Sequence, residues 1–335
     1  MSLLASEGFG WSTTAADYAA YGSFVTGPAS ISTGGPLGDN FAGLGSGTML
    51  WSVPTTSATF FFGWRFNNNG LVADTITIDF KDGSGVQMRL QYVCSTGAVS
   101  LARGTATNIG SLAGSGIPTT GFCYLEAGSF ISATVGTFFL RLNGVTIWSL
   151  TGLNNKGSAT STITQVSMTT NTGTQVSFAH LYLCDDTGSG PWNTFLGDVR
   201  VQTLIPTSND AVNFTPNGLA NNWQNAAKIP PVPATDFNSD STVGDQDTFN
   251  CGTISASTTT VFGVCVKDIL LKSDAGARSG ETILKSGATQ VAGASTALST
   301  SGQQLRTMYQ TDPNTSAQWT VANVNAAKPG YAVSA

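Results

Sequence analysis

The hydrophobic and polar positions along this chain alternate over short runs, which is the pattern of β-strands with one buried face. Between residues 86 and 94, apolar positions such as Met88 and Leu90 alternate with Arg89 and Gln91. A Gly-rich connection at 81–85 joins this run to residues 75–80, so we predict a β-hairpin here. Residues 59–66 are apolar on both faces, which predicts a strand inside a two-layer sandwich.

A second hairpin is predicted from the turn residues Asn143-Gly144. Both central positions of a type I′ turn need positive φ, which Asn and Gly tolerate best. We predict strands on either side of this turn, at 136–142 and 145–150, and another at 122–127. Many short strands at close spacing, with hardly any helix, indicate an all-β sandwich or jelly roll.

The stretch 176–201 marks the end of a first domain. We predict a strand, a turn over Asp185-Asp186-Thr187-Gly188 and Gly190-Pro191-Trp192, and a return strand at 195–201. Beyond Pro206 the chain is rich in proline and turn residues, so we predict a first domain at 1–204 and a smaller β-rich domain at 205–335. In the second domain, 259–271 is the strongest strand pattern and Thr320 is expected to cap a short helix, 321–327.

The composition limits the classes of function. Charged residues make up 10% of the chain, the net charge is −5 and the pI is near 4.7. Binding to nucleic acid needs clustered Lys and Arg, so we expect no nucleic-acid partner. No run approaches the roughly 20 apolar residues that span a bilayer, and the first residues lack the pattern of a signal peptide. We therefore expect no membrane partner and assembly in a reducing cytoplasm.

The cysteines lack the spacing of a zinc site or a disulfide framework, so buried free thiols are expected. Pairing of Cys251 with Cys265 across neighbouring strands stays open. The full set is Cys94, Cys123, Cys184, Cys251 and Cys265.

Several short motifs resemble those of one class of protein. Within residues 1–204 these are YLEAG at 124–128, RLNGVTIW at 141–148 and HLYLCDDTGSGPWNTFLGDVRV at 180–201; later ones include NNWQN, STVGDQDTF and the segment from DPNTSAQW to GYAV. The first domain resembles a concanavalin A-like or laminin-G-like jelly roll, and the last of its motifs looks like one shared by structural proteins of tailed bacteriophages. The resemblance extends over almost the whole chain.

The resemblance implies a non-enzymatic virion protein, of the tail, fibre, collar or capsid-decoration type, that acts through contacts with other virion proteins. Such proteins are usually symmetric homo-oligomers, and a trimer is our working expectation. The chain would be assembled into the particle in the host cytoplasm. The alternative is an adhesin that binds a host glycan through the jelly roll.

Concanavalin-like folds also include glycoside hydrolases, which need two carboxylates set across the scissile bond. The three glutamates of this chain are far apart in sequence, so Asp185-Asp186 is the remaining candidate pair. Neighbouring residues on a strand point to opposite faces, and this pair precedes a Gly turn, so we interpret both as turn formers. His180 is the only histidine. It lies within a strand pattern, which favours a packing role over catalysis.

The strongest metal signal is an Asx-rich segment of the second domain. Asp236, Asn238, Asp240 and Asp247 have the 1, 3, 5, 12 spacing of oxygen ligands in a calcium loop. The sixth position is Ser241 instead of Gly, and position 12 is Asp instead of Glu. We therefore expect no cofactor, with calcium as the one candidate and an Asx-rich turn as the other interpretation.

Glycan binding would need exposed aromatic rings beside polar side chains. Trp192, which follows Pro191 in a loop, and Trp223, which lies among asparagines, are the expected exposed rings. Contact with a partner subunit is an equally good interpretation of both.

Overall fold

A computed structural model describes residues 3–22, 24–35, 39–70, 73–83, 85–171, 176–255 and 257–335. The chain divides into two compact units. Unit 1 comprises Met1–Ala19 and Ser23–Val201, and unit 2 comprises Ala20–Gly22 and Gln202–Ala335.

Unit 1 is almost entirely β, with one short helix, α1 (Ala15–Ala20). Its strands are β1 (Leu3–Glu7), β2 (Phe24–Thr26), β3 (Ser30–Ser32), β4 (Phe41–Leu44), β5 (Gly47–Ser52), β6 (Thr59–Asn67), β7 (Thr75–Asp82), β8 (Gly85–Val93), β9 (Ala98–Arg103), β10 (Thr107–Leu112), β11 (Cys123–Phe130), β12 (Gly136–Leu142), β13 (Val145–Leu153), β14 (Gln165–Thr170) and β15 (Val176–Asp185).

These strands form two antiparallel sheets. The eight-stranded sheet has the order β13-β12-β11-β6-β15-β4-β3, with β1 also paired to β15, and the seven-stranded sheet has the order β10-β9-β8-β7-β14-β5-β2. The neighbours of β6, β15 and β14 are distant in sequence, which is the crossing pattern of a jelly roll. The predicted fold class is confirmed: an all-β, concanavalin-like jelly-roll sandwich followed by a smaller β-rich unit.

The core of unit 1 lies between the two sheets. Alternate residues of β6, including Phe62 and Trp64, face alternate residues of β7, including Ile78 and Phe80, and all four are almost fully buried. Burying one such side chain contributes roughly 1.5–3 kcal/mol to folding. The period-two pattern of the sequence therefore specifies which face of each strand points inward.

The two predicted hairpins are confirmed. Strands β7 and β8 pair as far as Asp82 and Gly85, and β12 pairs with β13 across Asn143-Gly144. Asn143 has φ 48° and Gly144 has φ 83°, as a type I′ turn requires. The predicted return strand at 195–201 is wrong, because this segment has no ladder partner and crosses the sheet as an irregular strap.

Unit 2 contains one larger sheet and two ribbons. The sheet has the order β16-β19-β25-β21-β22, with β23 on β21; the ribbons are β17-β18 and β20-β24. The elements are β16 (Pro206–Val212), β17 (Thr215–Asn217), α2 (Asn222–Ala226), β18 (Phe237–Ser239), β19 (Gln246–Cys251), β20 (Val264–Leu270), β21 (Ser279–Ser286), β22 (Thr289–Ala292), β23 (Thr296–Ala297), β24 (Gln303–Tyr309), α3 (Val321–Ala326) and β25 (Lys328–Val333).

The end of unit 2 differs in part from the expectation. Thr320 caps α3 as predicted, since its hydroxyl accepts a hydrogen bond from the Asn323 N–H at 3.1 Å. The following Lys328-Pro329-Gly330 ends the helix and also begins β25, a strand between β19 and β21 that we did not predict. Pro329 is tolerated there because β19 pairs with residues 330–332 only. In the described ranges, no helix is long and apolar enough to cross a membrane.

Candidate functional site

Strand β15 ends in a turn that Asp185 builds. One carboxylate oxygen of this fully buried residue accepts hydrogen bonds from the N–H and hydroxyl of Thr56, and the other from those of Thr187. Asp186 accepts a hydrogen bond from the hydroxyl of Ser57. Both residues are turn formers, as we interpreted them; Asp185 is buried and Asp186 is exposed.

Beyond this turn the chain crosses the outer face of the eight-stranded sheet as the strap, residues 195–201. Side chains of the sheet bind its backbone. The Leu196 N–H donates to the Tyr182 hydroxyl at 3.0 Å, and the Gly197 N–H donates to Glu126 Oε1 at 2.8 Å. The Val201 N–H donates to Nδ1 of His180 at 3.2 Å.

An ion pair and aromatic contacts fix side chains of the strap against the sheet. Asp198 lies 2.7 Å from an Nη atom of Arg65. The ring of Phe195 packs against Phe61 with centroids 4.9 Å apart, and the Arg141 guanidinium lies 4.8 Å from the same ring. Together with the hydrogen bonds to the N–H groups of Leu196, Gly197 and Val201, these contacts hold the strap on the sheet without a β-ladder.

Three glycines make room for the strap and for the tyrosine beneath it. A Cβ on Gly128 would lie 2.5 Å from Cζ of Phe195, and one on Gly8 would lie 2.3 Å from the Val201 carbonyl oxygen. A Cβ on Gly63 would lie 2.0 Å from Cε1 of Tyr182. Real Cβ atoms do not approach other atoms so closely, so a larger residue at any of these positions would displace the segment.

Glu126 is fully buried under the strap. Its Oε1 accepts hydrogen bonds from the Tyr182 hydroxyl and the Gly197 N–H, and its Oε2 lies 3.3 Å from Nη1 of Arg141. Burial, together with the neighbouring carboxylate, raises the pKa of Tyr182 well above its usual value. The carboxylate therefore organises the strap, and it is sealed from any large substrate.

His180 is also buried beneath the strap, at a bulge in the pairing of β15 with β6. Its φ is 50°, in the left-handed region. Burial lowers the pKa of His180 to about 4, and the nearby guanidinium groups of Arg65 and Arg200 act in the same direction, against Asp39. Nε2 lies 3.1 Å from Oδ2 of Asp39, although without hydrogen-bond geometry. The imidazole is neutral near pH 7 and has the packing role that its place in a strand favours.

The outer face of the seven-stranded sheet carries mainly polar side chains and no strap. We refer to the outward-pointing residues of β5, β14, β7, β8 and β9 as the polar face. One row of cross-strand neighbours consists of hydroxyls and one amide: Ser100, Gln91, Thr77, Thr169 and Thr48. The next row contains Ala102, Arg89, Asp79, Ser167 and Leu50.

An ion pair lies at the centre of the polar face. Nε and Nη2 of Arg89 lie 2.7 and 2.8 Å from the two carboxylate oxygens of Asp79. The bidentate hydrogen bonding to Asp79 raises the pKa of Arg89. Short side chains beside the pair are recessed below their longer neighbours: Thr77 is 7% exposed and Ser167 is 5% exposed.

The calcium candidates of unit 2 have other partners. Asp247 is fully buried, and it accepts hydrogen bonds from the N–H groups of Asn213 and Phe214, from the Asn222 amide and from the Tyr331 hydroxyl. These four donors occupy the oxygens that a calcium ion would need.

The other three members of the set are also engaged. The amide of Asn238 donates to the Asn222 carbonyl and to the Tyr331 hydroxyl. Asp236 pairs with Lys228, and Asp240 caps the Thr242 N–H. Across the described ranges, no group of three or more His, Cys, Asp and Glu side chains is placed to hold a metal ion. The four residues therefore do not fit a calcium loop, and they tie segment 213–240 to the sheet.

The two tryptophans differ from each other. Trp192 is 8% exposed, so the expectation of an exposed ring is wrong for this residue. Trp223 is half-buried at the start of α2, where its N–H donates to the side chain of Asn209. The five cysteines are free thiols, including Cys251 and Cys265.

Asp268 of unit 2 is half-buried, and one of its carboxylate oxygens lacks a partner in the described part of the chain. Oδ2 of Asp268, on β20, is inaccessible and accepts no hydrogen bond from the described residues. Burial raises the pKa of Asp268 to about 8. A carboxyl group in this state is mostly protonated at neutral pH.

No family model and no curated protein matches the chain. Solved structures similar to part of it include a galectin of Caenorhabditis elegans, with 9% identity, a TM-score of 0.31, and coverage of 42% of this chain and 94% of that chain. The CBM2 module of the evolved Dit of Lactobacillus casei BL23 phage J-1 has 13% identity, a TM-score of 0.30, and coverage of 41% and 67%. A tetrameric galectin of the sponge Cinachyrella has 13% identity, a TM-score of 0.30, and coverage of 42% and 100%. Similarity at this level says nothing about function, and the strand order defines the fold.

Proposed function

We propose that this chain is a non-enzymatic structural subunit of a tailed-phage particle, a tail, fibre, collar or capsid-decoration protein. It would act through contacts with other virion proteins, as a homo-oligomer, after assembly in the host cytoplasm. The phage assignment rests on the motif resemblance, above all that of residues 180–201. This motif also has a physical role, since it contains the strap and two residues whose side chains bind the strap backbone, His180 and Tyr182.

The observation that supports a non-enzymatic role is that the buried carboxylates accept hydrogen bonds from backbone N–H groups. Glu7 accepts a hydrogen bond from the Phe9 N–H, Glu126 from Gly197, Asp185 from Thr56 and Asp312 from Asn314. A general acid or nucleophile must face its substrate within hydrogen-bond reach. These carboxylates face backbone N–H groups instead, and they stabilise turns and the strap.

Mass spectrometry of purified particles tests the proposal by giving the number of copies per major capsid protein. A ratio near one, or a simple fraction of one, supports capsid decoration. A few to a few dozen copies per particle support the neck, tail or fibres. Absence of the chain from the particles would rule out the virion assignment.

A second candidate function is glycan binding by unit 1. The observation that favours it is the polar face, where rows of hydroxyl and amide groups surround a forked ion pair. A glycan array with the full chain tests this function, because a purely structural subunit should retain no glycan specifically.

A further inference from the structure

We propose that His180 is a pH-sensitive switch for one end of the strap. In acid, a proton on Nδ1 of His180 removes the acceptor of the Val201 N–H, and residues 199–201 leave the sheet while the sandwich stays folded. We call the attached arrangement closed and the other one released. This inference is independent of the proposed virion function, because it concerns a conformational change within unit 1.

The imidazole of His180 accepts one hydrogen bond and faces one carboxylate. The Val201 N–H donates to Nδ1 at 3.2 Å, so Nδ1 carries no proton and the ring proton is on Nε2. Nε2 lies 3.1 Å from Oδ2 of Asp39. A second proton can therefore be added only at Nδ1, where it would point at the Val201 N–H. Two donors cannot share this position, so an imidazolium and an attached Val201 exclude each other.

Charged and titratable groups surround His180 from four elements. They are Asp39 before β4, Arg65 on β6, Asp198 and Arg200 on the strap, and Tyr124 on β11, whose hydroxyl donates to the His180 carbonyl. The two guanidinium groups disfavour an imidazolium and the two aspartates favour it. Arg200 is next to Val201, so its repulsion acts on the end that is released. Asp198 is held by Arg65, 2.7 Å away. On the side of β1 the strap lies against Gly8, which has no side chain.

The closed arrangement also contains local strain. The φ of His180 is 50°, in the left-handed region, at the bulge between Ala179 and Tyr182. Oδ1 of Asp39 and Nε of Arg65 are inaccessible and have no hydrogen-bond partner among the residues that the structure describes. A strained backbone and buried polar atoms without partners both reduce the stability of the arrangement that contains them. Release of residues 199–201 lets water reach these atoms, which favours the released form.

The titration of His180 gives the direction and size of the effect. Burial, together with the nearby guanidinium groups, lowers the pKa of His180 to about 4 in the closed form, whereas an exposed imidazole has a pKa near 6.5. The released form therefore binds the proton first as the pH falls. Its population relative to the closed form should rise about a hundredfold between pH 7 and pH 4.

The other end of the strap should stay attached in acid. The N–H groups of Leu196 and Gly197 donate to Tyr182 and Glu126, so their hydrogen bonds do not involve the imidazole. Val201 is the last residue of unit 1 before the chain continues into unit 2 at Gln202. The switch therefore frees the residues of unit 1 that lead directly into unit 2.

The test combines two measurements on the full chain between pH 7 and pH 4. His180 is the only histidine, so isotope-labelled histidine gives ring signals from this residue alone, and its nitrogen shifts in NMR report which ring nitrogen carries the proton. Hydrogen exchange followed by mass spectrometry, with fragmentation that resolves single residues, gives the protection factor of the Val201 N–H. A protection factor is a ratio to the intrinsic exchange rate, so it can be compared between pH values.

We expect a proton on Nε2 alone at pH 7, and a fall of about a hundredfold in the protection of the Val201 N–H as Nδ1 gains its proton. The amides of β6 and β14, which line the core, should stay protected. His180→Gln should make the protection of Val201 nearly independent of pH, because its side chain does not titrate. Asp186→Asn removes a titrating group from an exposed turn of unit 1 and is the matched control, so it should behave like the unchanged protein.

Three results would overturn the switch. A proton on Nδ1 at pH 7 would mean that Nδ1 does not accept the hydrogen bond from Val201. The same acid loss of protection in His180→Gln would assign the release to carboxylates. Loss of protection in β6 and β14 at the same pH would mean that the whole sandwich unfolds. If His180→Gln does not fold, the ring tautomer at pH 7 and the agreement of the two pH profiles in the unchanged protein decide the matter.

Discussion

Tyr182 lies flat over Gly63, its partner across the β15–β6 ladder, so closely that a Cβ on Gly63 would stand 2.0 Å from the tyrosine ring. This approach lets the Tyr182 hydroxyl reach both Glu126 and the Leu196 N–H. The strap is thus held by Tyr182, and the ring of this tyrosine has room only because residue 63 on the neighbouring strand is a glycine.

Gly63→Ala should destabilise unit 1, because the added methyl group pushes Tyr182 off the sheet and breaks its two hydrogen bonds. We expect a loss of about 1–3 kcal/mol in the free energy of unfolding, measured by urea denaturation. Gly252→Ala is the control, since a Cβ there meets no atom within 4 Å. Equal effects of the two substitutions would contradict this account of the strap.

Glu126→Ala should be more destabilising than Glu126→Gln, because alanine removes the acceptor of the Gly197 N–H and of the Tyr182 hydroxyl. We expect a cost of about 1–3 kcal/mol for the alanine variant. Limited proteolysis followed by mass spectrometry should show faster cleavage within residues 195–201. Cleavage that stays as slow as in the unchanged protein would mean that Glu126 does not hold the strap.

Acid should destabilise unit 1 in part through His180. The pKa of His180 is lowered to about 4 in the folded chain, below the value near 6.5 expected when it is unfolded. The unfolded chain therefore binds the proton first, so this contribution to stability is complete above pH 6.5 and is lost as the pH falls towards 4.

Thermal melts between pH 7 and pH 4 measure this effect. The fall in Tm should be smaller for His180→Gln, whose side chain does not titrate, than for the unchanged protein. Identical pH profiles would show that His180 is not the titrating group.

Calcium should not stabilise unit 2, because the oxygens of Asp247 already accept hydrogen bonds from four donors. We expect the same Tm in calcium and in a chelator such as EDTA. Asp247→Asn should cost about 1–3 kcal/mol, since it turns an acceptor into a donor facing the Asn222 amide. Asp274→Asn, at an exposed position outside the candidate set, is the control. A calcium-dependent rise in Tm that Asp247→Asn removes would restore the calcium site.

Asp268 gives unit 2 the opposite dependence on pH from His180 in unit 1. Its pKa is raised to about 8 in the folded chain, above the unfolded value of 3.8. Stability from this group is therefore complete below pH 3.8 and is lost as the pH rises towards 8. Asp268→Asn should raise the Tm of unit 2 by a few degrees at pH 8 and less at pH 5. Asp274→Asn, on the surface, should show no such trend.

The local sequence pattern was sufficient to predict much of the fold. Alternation along residues 86–94, the Asn143-Gly144 turn and the Thr320 cap are each short-range features, and each is confirmed in the structure. The low charge and the scarcity of helix-forming periodicity likewise indicated the all-β class. These features depend on neighbours within a few residues, so the sequence carries them directly.

What the sequence by itself determined is which residues form strands and which face of each strand is buried. Tertiary structure alone decided that residues 195–201 are a strap, that Trp192 is buried, and that Asp247 accepts hydrogen bonds from Asn213 and Asn222. It also aligned Ser100 and Thr48 in one row across five strands. The physical reason is that each of these outcomes depends on which strands become neighbours, and in a jelly roll those neighbours lie far apart along the chain.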